Sequence, residues 1–336
     1  MFLLLFIGPV LRAVCKMFPD GIPWLAQQLQ HVKWEGFVLW DLIMPLFLFL
    51  SGITIPFSMA RYKDGVPPDR AFYFKLARRF VLLFFLGWIV QGNLLQWDWK
   101  TFHPFANTLQ AIAVGYVITA LLFVHLKTKW QLLAAALLFA AYWLAFACTG
   151  MNLDPQDNVA MTVDKAVLGM HRDGVAWAED GSWRFMKRYQ YTWVLSSLNF
   201  AVTVLLGCFA GQMLRCTRHA PSGRALRVAA AGALLVAAGL LLGTQFPIVK
   251  KIWSSSMTLY SGGLCFLLTA ATYYIVDVKH WRKGLSWLKI YGMNAIGAYC
   301  AGELLRYDTL PQAIGNALLV FFLLLLMYKN KIFLKV

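Results

Sequence analysis

Acidic residues are scarce in this chain. Asp and Glu together number 15 in 336 residues, and charged residues of both signs make up 14%. A soluble domain carries roughly a quarter charged residues, so composition excludes an ordinary soluble globular class. Cysteine offers no framework either. Cys15, Cys148, Cys208, Cys216, Cys265 and Cys300 are scattered, without a C-x-x-C pair or a metal-ligand spacing. They read as packing residues rather than as disulfides or metal ligands. No Walker loop, dinucleotide fingerprint, G-x-S-x-G elbow or H-E-x-x-H helix occurs, so the common motif-borne chemistries are absent. No nucleic-acid motif accompanies the formal charge of +16, and that charge therefore does not point to DNA or RNA. The opening segment, "MFLLLFIGPVLRAVCKMF", lacks a basic n-region and a small-residue cleavage site. It reads as a first span with a short or missing cytosolic end, not as a signal peptide.

Long apolar runs are what the chain does have. Sixty per cent of its residues are apolar and its mean hydropathy is +0.60. Runs of about 20 apolar residues recur from end to end, the length that crosses a bilayer as a helix. The expected fold is all-α, a polytopic membrane bundle of about ten helices. They fall near 1–18, 37–60, 76–96, 105–126, 131–149, 191–214, 225–243, 257–277, 288–304 and 312–329. No polar stretch is long enough for a second folded domain, so residues 1–336 are expected to form a single membrane domain.

Basic residues set the expected orientation, because cytosolic links hold the excess of Lys and Arg. One side carries nineteen, running from Arg61, Lys63, Arg70, Lys75, Arg78 and Arg79 through the links near 127–129, 215–227 and 279–289 to Lys329, Lys331 and Lys335. The other carries ten, and five of those, Lys165, Arg172, Arg184, Lys187 and Arg188, lie in the long 150–190 segment. The remaining five are Lys33, Lys100, Lys250, Lys251 and Arg306. The first side is therefore expected to be cytosolic, with both termini there. The 150–190 segment is expected to be an extracytoplasmic loop, and "QHVKWEG" lies on its side of the membrane.

Several polar residues sit in or beside the apolar runs, where ionisable groups are costly and usually functional. His31 precedes the second span. As a functional group it is a base or nucleophile, since an imidazole titrates near neutrality; as a structural group it is an interfacial hydrogen-bonding residue. With a helix starting near Phe37, Asp41 lies about 6 Å along the axis. It shares a face with Pro45 and Gly52 and must point into the bundle. The structural alternative is a buried carboxylate with a partner. Gln91, Asn93, Asn107 and Gln110 flank spans three and four on the extracytoplasmic side, and Ser196, Ser197 and Asn199 lie in span six. Ser254, Ser255 and Ser256 follow Lys250, Lys251 and Trp253. Asn294 and Glu303 occupy span nine. Singly such residues bind helices together; jointly they suggest a polar chamber. On the opposite side Arg61, Arg78 and Arg79 cluster beside span ends and could hold phosphate oxygens, or merely mark topology.

The block "HVKWEGFVLWDLIMPLFLFLSG" (31–52) resembles the heparan-α-glucosaminide N-acetyltransferase family and its bacterial relatives, through His31, Trp34, Gly36, Asp41, Leu42, Pro45, Phe47, Phe49 and Gly52. "FPIVKKIWSSSMTLYSGG" (246–263) carries a second specific match. "RRFVLLFFLG" (78–87), "LQAIAVGY" (109–116), "VTVLLGCFAGQML" (202–214) and "GMNAIGAY" (292–299) add weaker ones. Ala111 stands where the family often has Arg. The resemblance implies a many-span acyltransferase, a homodimer, that takes cytosolic acetyl-CoA and meets an amino sugar or glycan on the far side. The family's catalytic histidine maps onto His31. The catalytic candidates are His31 and, from its cost inside the span, Asp41; Arg61, Arg78 and Arg79 are the candidates for the coenzyme by their clustering, a role the resemblance does not assign to them. Trp34, Asn93, Gln110, Lys251, Trp253, Ser255 and Asn294 are the candidates for the acceptor. No metal is expected, and the location expected is a bacterial inner membrane. A secondary transporter of a sugar or organic anion is the alternative, and a non-catalytic partner in envelope glycan assembly is a third reading.

Overall fold

The computed structural model describes residues 3–18, 22–187, 191–305 and 308–334. Arg188, Arg306 and Lys335 of the basic tally lie outside them. The chain is a polytopic helical bundle, and its single hairpin among the described residues pairs Val175–Trp177 with Trp183–Phe185. Among the described residues seven helices are long and apolar enough to cross a membrane: Leu39–Ser58, Thr108–His125, Thr128–Ala147, Ser197–Arg215, Pro221–Gly243, Ser255–Val278 and Leu310–Lys329.

The three other expected spans are helical but depart from a plain apolar rod. The first is a π turn, Leu3–Ile7, running into the helix Gly8–Met17. The third starts at Arg70, six residues before the apolar run, and extends to Val90. Asp69 accepts the Phe72 N–H at 2.8 Å and caps it just after Pro67 and Pro68, so a charged turn lengthens the helix beyond its apolar part. The ninth is two helices, Ser286–Met293 and Ala295–Leu304, broken at Asn294. Asn294 takes φ −124° and ψ 41°. Its amide donates to the Ile332 carbonyl at 3.0 Å and its oxygen accepts from the Leu334 N–H at 2.9 Å.

The chain divides into two compact units. The first comprises Met1–Val32, Val38–Ile43 and His280–Val336. Its core joins Leu5, Ile290, Tyr291, Ala298, Val320 and Leu324. A second cluster gathers Leu29, Val38 and Trp40 against Leu11, Leu25 and Ile43.

The second unit comprises Lys33–Phe37 and Met44–Lys279. Helices here approach backbone to backbone. A Cβ on Gly52 would lie 2.0 Å from the Val204 carbonyl oxygen, and one on Gly207 would lie 1.9 Å from that of Phe49. In lipid there is no hydrophobic gain from pairing helices, so such close contact and a few polar bonds hold them. Gln212 supplies one, its amide donating to Gln131 at 2.9 Å.

Residues 150–187 are more organised than a loop. Asn158 accepts the Met161 N–H at 2.9 Å and starts the helix Val159–Leu168. Beyond it Asp164 accepts the N–H groups of Trp193 and Val194 at 2.7 and 2.9 Å. Both carboxylate oxygens of Asp173 accept from the Trp193 indole, at 3.1 and 3.0 Å. Arg172 is buried beside them and donates to the Tyr191 carbonyl at 2.9 Å.

Candidate active site

The short helix Pro23–Gln28 begins on proline, whose fixed φ suits a first helical position. The Gln28 side chain accepts the Leu39 N–H at 2.9 Å. Leu29, one residue on, is buried with Val38 and Trp40. These two ties fold the chain back, so that residues ten apart in sequence meet.

His31 Nδ1 lies 2.7 Å from Asp41 Oδ1. The second carboxylate oxygen accepts the Val38 N–H at 3.3 Å, and the Asp41 N–H closes the turn on the Val38 carbonyl at 2.9 Å. Asp41 therefore sits in the first turn of the span, the 3-10 turn Leu39–Leu42, not a turn deeper as a helix from Phe37 would place it. A carboxylate there meets the positive end of the helix dipole. Its side chain is 2% exposed, while that of His31 is 42% exposed.

An ionised carboxylate only accepts hydrogen bonds, so Nδ1 must be the donor of this pair. The neutral ring then has its proton on Nδ1 and its lone pair on Nε2. One carboxylate oxygen orients the ring, and the other is tied to the start of the span. The arrangement fixes both the tautomer and the direction of the basic nitrogen. Beside it the Arg12 guanidinium stacks 4.3 Å from the Trp40 ring centroid. Treated singly, the His and the Asp gave no sign of this pairing, which depends on closing the 32–40 loop.

Three of the residues expected to contact the acceptor come together in the second unit. Lys251 and Trp253 belong to one tight turn, and Ser255 opens the helix that follows it. Trp253 is buried and takes φ 53°, the left-handed region that a bulky residue rarely adopts. Its indole donates to Thr203 at 3.1 Å. The Asn199 amide donates to the Trp253 carbonyl at 2.9 Å and to Ser255 Oγ at 3.5 Å. The Asn199 oxygen is buried and has no hydrogen-bond partner among the described residues. Ser196 and Tyr142 both donate to the Ile252 carbonyl. Ser254 and Ser256 each donate to the Pro247 carbonyl at 2.9 Å. The turn is thus held from several helices at once.

Trp34 packs in the same unit, against the cluster of Tyr142, Phe146, Phe246, Val249 and Ile252. Its neighbours Glu35 and Gly36 pair with the strand-like residues Val249 and Ile248, and the Gly36 N–H donates to the Ile248 carbonyl at 2.9 Å. Gly36 takes φ 111°, which a side chain would strain.

The other candidates stand apart. Gln110 braces a corner. Its amide donates to the Pro104 carbonyl at 2.9 Å and its oxygen accepts from the Ala106 N–H at 2.7 Å. Asn93 takes φ 58° and donates to the Thr101 carbonyl at 3.0 Å. Asn294 lies in the first unit, bonded to the backbone near the C-terminus as described above. Among the basic candidates, Arg61 stacks on Tyr62 with 4.6 Å to the ring centroid and donates to its hydroxyl. Arg78 is exposed. Arg79 lies 3.9 Å from the Tyr116 ring centroid, and its buried Nε has no hydrogen-bond partner. None of the three lines the cavity of ≈ 660 Å³ at the basic end of the second unit.

Known proteins place this geometry in context. Mouse heparan-alpha-glucosaminide N-acetyltransferase is 24% identical over 330 residues, covering 82% of this chain and 49% of its own length. The human protein of that name is 24% identical over 327 residues, covering 82% and 48%. The chain is a distant relative of these N-acetyltransferases. It spans about half the length of the curated relatives it matches. No family model matches it.

Proposed function

We propose that the chain is an integral membrane acyltransferase that moves an acetyl group from cytosolic acetyl-CoA to an amino sugar or glycan on the extracytoplasmic side. The observation that carries this reading is the 2.7 Å pair between His31 Nδ1 and the buried Asp41. The mammalian relatives' name supplies the reaction class. The charge asymmetry supports a cytosolic location for both termini, and the resemblance supports a homodimer in a bacterial inner membrane.

An amine attacks a thioester only as its free base. In one route His31 Nε2 takes the amine proton as the C–N bond forms. The tetrahedral intermediate then collapses, the C–S bond breaks and the coenzyme leaves as its thiolate. Asp41 holds the ring and stabilises the imidazolium formed, a positioning role. In the other route Nε2 attacks the thioester first, the C–S bond breaks, the coenzyme leaves as its thiolate and the acetyl group is carried on Nε2. The amine then attacks the acetyl carbon, the bond from that carbon to Nε2 breaks, and the freed Nε2 takes the proton that the amine gives up. Lys251, Trp253, Ser255 and Trp34 are the proposed acceptor contacts from the second unit, joined by Asn93, Gln110 and Asn294. Arg61, Arg78 and Arg79 are the proposed contacts to the coenzyme.

The test is mass spectrometry of amino sugars incubated with purified protein and acetyl-labelled coenzyme. The reading predicts labelled N-acetyl product. Uptake of a sugar into proteoliposomes without covalent change, and no labelled product, would replace it with the transport reading.

A further inference from the structure

At the basic end of the second unit a cavity of ≈ 660 Å³ is lined by Lys63, Lys127, Arg215 and Arg218, with Asp64 the one carboxylate among them. Arg215 donates to Asp64 at 3.3 Å, which balances one cation. Among the described residues Lys127 and Arg218 have no ion-pair partner. A lysine that serves topology alone snorkels into water. Lys63 instead donates to the Leu126 carbonyl and lies 5.1 Å from the Phe123 ring centroid. Burial holds its ammonium below the usual lysine range.

The lining residues Thr128 and Gln212 belong to a braced polar chain. The Thr128 hydroxyl donates to the Gln212 side-chain oxygen at 3.0 Å, the Gln212 amide donates to the Gln131 side-chain oxygen at 2.9 Å, and the Gln131 amide donates to the Leu126 carbonyl at 2.8 Å. That is the same carbonyl that holds Lys63. The chain of side-chain amides shares this carbonyl with one cation, while three others line the same cavity.

We propose that this cavity binds the phosphate groups of an anionic ligand. Its volume falls in the range of small-molecule sites. Its cations outnumber its carboxylates, arginine forks match phosphate oxygens, and lysines add point charges. Two sources carry this chemistry: the nucleotide phosphates of an acyl-CoA donor, or the headgroup of an anionic lipid. The first source rests on the transferase reading; the phosphate site does not.

The test compares the wild-type protein with the double variant Lys127→Gln/Arg218→Gln, both positions exposed, and with His31→Gln. Binding of coenzyme A and of inorganic pyrophosphate is measured by equilibrium dialysis, and phosphatidylglycerol retention by native mass spectrometry. Loss of two charge-assisted contacts should weaken phosphate binding about 10- to 100-fold, with the dependence on salt reduced, while His31→Gln binds as wild type. Weakened coenzyme A and pyrophosphate binding identifies the nucleotide source. Weakened phosphatidylglycerol retention with coenzyme A binding intact identifies the lipid source. Unchanged affinity for all three probes, in a double variant that melts as wild type, overturns the proposal. Weakened binding in a protein that transfers no acetyl group would uphold the phosphate site and sink the transferase reading instead.

Discussion

Replacing Asp41 by asparagine keeps the side chain's shape and removes one acceptor. Among the described contacts the aspartate accepts from His31 Nδ1–H at 2.7 Å and from the Val38 N–H at 3.3 Å. Asparagine has one oxygen and one NH₂ for those places. With the oxygen toward Val38, the NH₂ faces Nδ1, and the ring must move its proton to Nε2. The basic nitrogen is then lost, a change worth about 10²- to 10⁴-fold in rate. With the oxygen toward His31, two donors collide at Val38, a buried mismatch of about 1–3 kcal/mol. Asp41→Asn should therefore lose at least about 10²-fold in kcat/KM and up to about 3 kcal/mol in stability. The assay is acetyl transfer to glucosamine at saturating acetyl-CoA, beside a thermal melt in detergent. A variant within twofold of wild type in both would refute the assigned tautomer and the pairing's role. The same geometry makes His31→Ala an unclean test, since it takes the 2.7 Å side-chain hydrogen bond from the buried Asp41 carboxylate.

Other consequences are equally concrete. Gly207→Ala drives a Cβ to 1.9 Å from the Phe49 carbonyl oxygen; a loss of about 1–3 kcal/mol or more is expected in a thermal melt, and an unchanged melting temperature would contradict the close helix crossing. Asn294→Ala removes the bonds to Ile332 and Leu334 and should cost about 1–3 kcal/mol; a raised acceptor KM without any loss of stability would show a substrate contact rather than a brace. Burial raises the Asp164 carboxyl from 3.8 to about 6, against the lowering effect of the Val194 and Trp193 N–H groups. The folded form thus favours the protonated acid, and this contribution, about 3 kcal/mol, is present below pH 3.8 and is lost as pH rises through about 6. Melting temperatures of wild type and Asp164→Asn across that window should diverge as pH rises, with wild type losing ground; parallel curves would contradict the assignment.

The helical architecture was legible because long apolar runs admit few alternatives. Its details were not. Lys75, Arg78 and Arg79 put the helix Arg70–Val90 outside a purely apolar criterion, although Pro67, Pro68 and the Asp69 cap mark its true start. In "IYGMNAIGAY" nothing local separates a polar residue inside a helix from one that ends it; the break at Asn294 is set by the chain near residues 332–334. Asn158 was a readable cap for the helix Val159–Leu168, yet charge made the segment look like a solvated loop. The burial of Arg172 and Asp173 arises from tertiary contacts. The site divides in the same way. His31 and Asp41 each stood out by cost and chemistry, but their pairing depends on Gln28 and Leu29 closing a loop. Lys251, Trp253 and Ser255 are adjacent in sequence and so were easily grouped. The cavity cations Lys63, Lys127, Arg215 and Arg218 come from three separate links and were counted only as topology.

The most direct measurement is single-turnover acetyl transfer by His31→Gln against wild type, with equal amounts of folded protein and acetyl-labelled coenzyme. Glutamine's amide can donate to Asp41 as Nδ1–H does, so the carboxylate keeps a partner, but it can neither accept a proton nor carry an acetyl group. The account predicts normal coenzyme binding, a near-normal melt and a loss of transfer of about 10²-fold or more. Transfer at the wild-type rate by the folded variant would contradict the assignment of His31 as the reacting group.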